Sequence, residues 1–256
     1  MKNVSKILIL SLIFLALYDC ARKGRPSGGP KDETAPILVV AKPPNETTDF
    51  NANEIRIYFD EYVILKDLTK QLVVSPPMKN PPLITPQGTP SKYINIKILD
   101  TLKPNTTYTF NFGNAVQDNN ENNKLESFKY VFSTGKYIDS LTLKGNIKDA
   151  LEKKSPKEIS VLLYKLDSTF KDSTIYKEKP LYVASTIDSN NYNFSNLQKG
   201  KYILVALKQN TKNFIFNPKV DKIAFSLDTI TLPKDSVIST DLTLFREIQP
   251  YKFKRG

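Results

Sequence analysis

Apolar and polar residues alternate with a period of two through most of the chain. Ile55, Ile57 and Phe59 alternate with Arg56 and Tyr58, and Ile94, Ile96 and Ile98 with Asn95 and Lys97. Tyr108, Phe110 and Phe112 alternate with Thr109 and Asn111, and Phe128, Tyr130 and Phe132 with Lys129 and Val131. This period turns one row of side chains inward and the other outward, which predicts β-strands. The runs are broken at Pro43-Pro44, Pro76-Pro77, Pro81-Pro82, Pro104-Asn105 and from Asp118 to Asn123, where strand pairing is difficult and turns are favoured. Short strands at this spacing predict a β-sandwich over residues 36–135. A second alternating set opens with Leu141, Leu143, Gly145 and Ile147, continues with Ile159, Val161 and Leu163, and includes the run from Tyr192 to Ala206. It predicts a second β-sandwich over residues 141–244. The expected protein is therefore all-β, with two independently folded domains joined near Gly135 to Ser140 and a tail, or the start of a further region, at 245–256.

The first 35 residues follow a different pattern. Met1 to Ser5 carry positive charge, and Ile7 to Tyr18 form one apolar run. A bilayer span needs about 20 apolar residues. The run is shorter than that and suits the core of an export signal. Cys20 follows two positions later and is the only cysteine in the chain. The layout resembles a lipoprotein signal peptide, with Leu17 three positions before the cysteine. It implies a signal over residues 1–19 and lipid attachment at Cys20. Residues 20–35, rich in Gly, Pro, Ser and charge, are expected to be a flexible tether.

Composition narrows the chemistry. There is no histidine, which removes the commonest general base and metal ligand. A single cysteine permits neither an intrachain disulfide nor a cysteine zinc site. No hydrolase, phosphate-loop, metalloprotease or dinucleotide fingerprint occurs. Without histidine only a lysine could activate a serine, and nothing in the sequence singles out such a pair. Asp60-Glu61 are strand neighbours, which point to opposite faces and do not converge as an acid/base pair. The loop from Asp118 to Asn123 offers oxygen ligands of the kind calcium uses, but it lacks the glycine and closing glutamate of the helix-loop-helix motif and reads as a turn. The loop from Gln209 to Asn217 is similar in place to an Asp/Asn-rich, metal-like loop of related domains, but has Gln209 and Thr211 at those positions. Neither a catalytic residue, a cofactor nor a metal site is expected. Formal net charge is +11, and the lysines are scattered rather than run together. That distribution fits a solvated basic surface or an anionic envelope partner, and not a nucleic acid. Tyr58, Tyr93 and Tyr182 are expected to be exposed on strands, where they could stack on sugars or cover an interface.

Two stretches carry family resemblances. The opening APILVVAKPPNETTDFNANEIRIYFDEYV, the central LKPNTTYTFNFGNAVQDNNENN and the closing FKYVFSTG resemble the bacterial Ig-like domain of Bacteroidota surface lipoproteins. In that pattern Pro-Pro-Asn ends the first strand, Phe59-Asp60-Glu61 ends a strand at an exposed corner, and Leu102 to Tyr108 aims an aromatic inward. The run from Tyr192 to Ala206 resembles the prealbumin-like, carboxypeptidase-regulatory-like fold, with a turn at Gly200 and Tyr202 directed inward. These resemblances imply more chain beyond Gly256. They also imply a non-catalytic structural or protein-docking lipoprotein at the outer membrane, on either of its faces. A glycan-binding surface lipoprotein is the alternative, and a non-catalytic part of a larger enzyme is a third reading.

Overall fold

In the computed structural model, residues 29–187, 189–233 and 240–247 are described. The first set of strands runs β1 (Leu38–Lys42), β2 (Glu54–Leu65), β3 (Val73–Ser75), β4 (Leu83–Thr85), β5 (Ser91–Lys97), β6 (Thr107–Gly113), β7 (Val116–Asp118) and β8 (Phe128–Ser133). A single helical turn, α1 (Leu68–Gln71), precedes β3. One sheet has the order β1-β2-β5-β4, with β7 paired to the far end of β2, and the other has the order β3-β6-β8. All these pairings are antiparallel.

The inward rows are those the alternation predicts. Ile55, Ile57, Ile94 and Ile96 from one sheet meet Phe110, Phe112, Tyr130 and Phe132 from the other, and all are fully buried. Phe132 is the hub of this core. Its ring stacks on Phe50 at 3.9 Å and on Tyr108 at 5.4 Å between centroids. Tyr108 also fixes the turn before it, because its hydroxyl accepts the Lys103 N–H at 2.9 Å. One expectation fails locally. β2 does not end at Phe59-Asp60-Glu61 but continues to Leu65 across a register shift, because Val63 supplies the next buried side chain and β7 the next partner.

The second set comprises β9 (Leu141–Asp149), β10 (Ile159–Lys165), β11 (Tyr182–Thr186), β12 (Asn191–Leu197), β13 (Gly200–Lys208), β14 (Lys222–Phe225), β15 (Ile230–Leu232) and β16 (Leu242–Leu244). One sheet has the order β11-β10-β13-β14, with β15 on β13, and the other has the order β12-β9-β16. β16 lies parallel to β9, the one parallel pairing between these strands. Leu143, Ile147, Phe194 and Leu244 from one sheet close on Val161, Leu163, Leu204 and Ala206 from the other. Tyr202 points inward as expected and donates its hydroxyl to the Gln198 carbonyl at 2.8 Å, closing the turn into β13.

β10 is buried on both faces along Ile-Ser-Val-Leu-Leu-Tyr, a largely apolar run. Its second face, with Leu162 and Tyr164, joins Val183, Val205, Leu207 and Ile223 in a further apolar cluster. Phe170 and Ile175 around a 3-10 turn and Phe214 and Phe216 in the loop between β13 and β14 cover part of it, and Val73 of the first sandwich completes it. The segment between the sandwiches is held as well. Asp139 is buried, its carboxylate accepts the Thr107 hydroxyl at 2.8 Å, and its carbonyl accepts the Asn196 side-chain amide at 2.9 Å. The described residues from Glu33 onward thus form one compact unit.

Gly145 marks a close approach of backbones. A Cβ there would run into the Thr240 carbonyl oxygen and lie 2.5 Å from the Tyr192 hydroxyl, which itself donates to that carbonyl at 2.6 Å. Gly145→Ala is expected to lower unfolding free energy by at least ~2 kcal/mol in urea titration, since an added methyl in a filled core forces the backbone to shift. Gly29→Ala, with open space around the added atom, is expected to change it by less than ~0.5 kcal/mol.

Candidate functional site

The outward face of the β1-β2-β5-β4 sheet carries the most distinctive exposed chemistry. The register places Tyr58 opposite Tyr93 and Arg56 opposite Asn95, with Val40 of β1 on the other side of Tyr58. The two tyrosine rings lie 5.8 Å apart, tilted by 45°. The Arg56 guanidinium sits 5.4 Å above the Tyr93 ring and is paired with Glu54 at 3.1 Å. Hydrogen bonding to the Tyr58 hydroxyl first, and to Glu54 second, raises its already high pKa. Toward the end of β2, Lys92 covers the Tyr62 ring at 5.5 Å. Tyr62, Tyr93, Val39 and Val40 are all exposed. The sheet thus presents aromatic rings, two of them capped by a cation, beside apolar side chains. Such a surface can bind by desolvation, stacking and charge-assisted hydrogen bonds.

The other expected positions fall elsewhere. Tyr182 is buried, contrary to expectation, because β11 turns it into the core against Tyr202 at 6.0 Å. Asp60 accepts the Ile37 N–H at 2.8 Å and so ties down the edge of the sheet. Cys20 lies outside the described residues.

The Asp118 loop is built around its own carboxylate. One oxygen of Asp118 accepts the N–H groups of Asn120, Glu121 and Asn122 at 2.8, 2.7 and 3.1 Å, and the other accepts that of Asn123 at 2.7 Å. Burial alone would raise its pKa, but these four donors outweigh burial and lower it. Backbone donors therefore occupy both oxygens. The loop from Gln209 is closed in a parallel way. The Gln209 side-chain amide nitrogen donates toward Asn213 Oδ1, the Ile215 carbonyl and Asp221 Oδ2 at 2.8–3.0 Å, so a neutral NH2 group stands at the centre of the oxygens.

Two clusters escaped the sequence. At the end of β9, Lys222 lies 2.6 Å from Asp149 and 2.5 Å from Glu152. Burial would raise the Asp149 carboxyl, but Lys222 and the N–H groups of Leu151 and Glu152 hold it at about 2. Between the sandwiches, Lys129 of β8 comes within 3.4 Å of the Ser195 hydroxyl of β12. No local signal could reveal that pair, because its members belong to different sandwiches. No group of three or more acidic, cysteine or histidine residues suited to a metal occurs among the described residues. No described helix is long and apolar enough to cross a membrane.

Comparison with known proteins places the first sandwich. Residues 32–134 match the bacterial Ig-like domain family. That match covers the first sandwich alone, and the described residues as a whole are nearly all-β. Among solved structures, the major pilin subunit BcpA of Bacillus cereus aligns with 83% of this chain and 71% of its own, at 11% identity and a TM-score of 0.29. The N-terminal part of the bacterial S-layer protein SbsC aligns with 79% of this chain at 11% identity and a TM-score of 0.27. The Bacillus anthracis TIE protein aligns with 86% at 12% identity and a TM-score of 0.24. The chain spans 42% of the length of each of the latter two. No curated protein matches.

Asp149 has a folded pKa below its unfolded value of about 3.9, so its contribution is present above that pH and is lost as pH falls toward 2. Asp149→Asn is expected to remove about 2 kcal/mol of stability at pH 7 and to flatten the loss of stability between pH 5 and 2, as read by urea titration across that range. Asp118→Ala, which strips four N–H groups of their acceptor, is expected to cost roughly 2–3 kcal/mol. Exchanging chelator for millimolar calcium is expected to leave the melting temperature of the wild-type protein unchanged, because backbone donors fill the carboxylate.

Proposed function

We propose that this chain is a non-catalytic envelope module, anchored at the outer membrane through a lipid on Cys20, that docks a partner protein on the Tyr58–Tyr93–Arg56 face. The observation that carries the reading is the state of that face. Arg56 and Lys92 already lie over the rings of Tyr93 and Tyr62. A sugar stacking on those ring faces would have to displace a cation, whereas a protein surface can engage ring edges, guanidinium and apolar neighbours together. Tyrosine and arginine are also the side chains that dominate protein interfaces. The glycan reading rests on the same tyrosines and is the outcome to be distinguished.

The test uses the full chain expressed with its signal. Wild type, Cys20→Ser and the double variant Arg56→Ala with Tyr93→Ala are crosslinked in cells and recovered from solubilised outer membranes. Wild type is expected to retain a protein adduct that the double variant loses at least ~10-fold, as befits removal of an interface hot spot. Cys20→Ser is expected to lose acyl labelling and membrane association. A double variant that keeps the adduct, or a wild type that recovers only polysaccharide, sinks the docking proposal. Acyl labelling that persists in Cys20→Ser sinks the anchor.

A further inference from the structure

A small crevice lies between the two sandwiches, walled by β3, β6 and β8 on one side and by β11 and β12 on the other. It is lined by backbone and by polar side chains, among them Thr109, Asn111, Lys129, Ser185 and Ser195. Its free volume is about 40 Å³. At roughly 10–15 Å³ per water, that is room for about three waters or one small ion.

Two features of this crevice call for a ligand. The first is an uncompensated charge. The Lys129 ammonium enters the crevice, no carboxylate lines it, and its hydrogen bond there is the long 3.4 Å one to the Ser195 hydroxyl. Burial pushes the lysine below its ordinary pKa, with no neighbouring acid opposing it. Lys129 is half-buried, and an ammonium held in such a crevice without a counter-charge is a ready partner for an anion. The second is an orphaned donor. The Ser185 hydroxyl is out of reach of solvent and makes no hydrogen bond, although hydroxyls in such places nearly always find one. It belongs to the opposite sandwich from Lys129. Around one small space, then, stand an ammonium from the first sandwich and two hydroxyls from the second, with one donor unsatisfied.

We infer that this crevice is an anion site, taking one small anion of about the size of chloride between the Lys129 ammonium and the hydroxyls of Ser185 and Ser195. The anion neutralises Lys129, gives Ser185 its missing acceptor, and joins donors from both sandwiches. It therefore acts as a clasp that favours their packed arrangement. Anions larger than about three waters do not fit.

The probe is chloride, compared with gluconate at equal ionic strength so that general screening cancels. Thermal unfolding of the wild-type chain is expected to shift upward by about 3 °C at 0.15 M chloride relative to gluconate, the size of effect that binding to the folded state alone produces at several times Kd. Lys129→Met keeps the length of the side chain and removes its charge, and it is expected to melt at the same temperature in both salts. Should that variant fail to fold, wild-type crystals soaked in bromide give a direct readout, with anomalous density expected between Lys129 Nζ and the two serine hydroxyls. Equal melting of the wild type in the two salts overturns the site. So does a chloride shift that survives in Lys129→Met, or bromide-soaked crystals with only water in the crevice.

Discussion

A sheet that is apolar on both faces must be covered twice, and the architecture of this chain follows from that constraint. The sheet built on β10 carries Val161, Leu163 and Leu204 on one face and Leu162, Tyr164, Val205 and Leu207 on the other. An ordinary sandwich covers only one. The second face here is closed by the loop carrying Phe214 and Phe216, by the 3-10 turn with Phe170 and Ile175, and by Val73 from the other sandwich. Burial of that face, at about 25 cal/mol per Å² of apolar surface, favours a packed pair over two beads on a string. Around the apolar contact, polar groups then have to find partners across the same boundary. Val183 N–H donates to Ser75 Oγ at 3.1 Å, Lys179 to the Met78 carbonyl at 2.7 Å, and Lys212 to the Lys70 carbonyl at 2.6 Å.

Two turns within the stretches whose patterns resemble known families meet at this boundary. The turn that ends on Tyr108 and the turn that leads into Tyr202 meet where the Gln198 side chain donates to the Asn105 carbonyl at 3.0 Å. Gln198 also offers its carbonyl to Tyr202 and its N–H to Tyr182, so one residue connects the aromatic core of the second sandwich to a turn of the first. Each turn is fixed locally by its own tyrosine, and the two fixed turns can then serve as rigid mating parts.

What the sequence made legible was whatever depends on period. Ile55, Ile57 and Phe59, or Tyr108, Phe110 and Phe112, declare an inward row by alternation alone, and those rows are the buried ones. The double burial of β10 was not legible, because Ile159, Val161 and Leu163 read as a single inward row and hydrophobic residues name no partner for the other face. Tyr182 looked like its neighbours on exposed strands, and only the pairing of β11 with β10 turns it inward. The outward tyrosines at 58 and 93 were legible as candidates, whereas Arg56 over Tyr93 depends on the side-by-side register of β2 and β5. Lys222 with Asp149, and Lys129 with Ser195, bring together residues far apart in the chain. Pairings of that kind become visible only after the strands have been placed.

The Lys129–Ser195 pair also bears on whether this scaffold carries chemistry. A lysine can serve as base to a serine, and burial does move Lys129 toward the neutral form such a role needs. Geometry points the other way. At 3.4 Å the contact is long for an activating hydrogen bond, which runs at about 2.6–3.2 Å. A nucleophile must also meet a substrate carbonyl beside donors for the developing oxyanion. The crevice has room for about three waters, and the walls that enclose it are the two sandwiches themselves. Admitting a peptide or ester would require separating them and uncovering the apolar cluster that Val73 completes. The burial that lowers the lysine pKa is thus the same burial that keeps a substrate out, and the pair is better suited to holding a small ion than to attacking a large molecule.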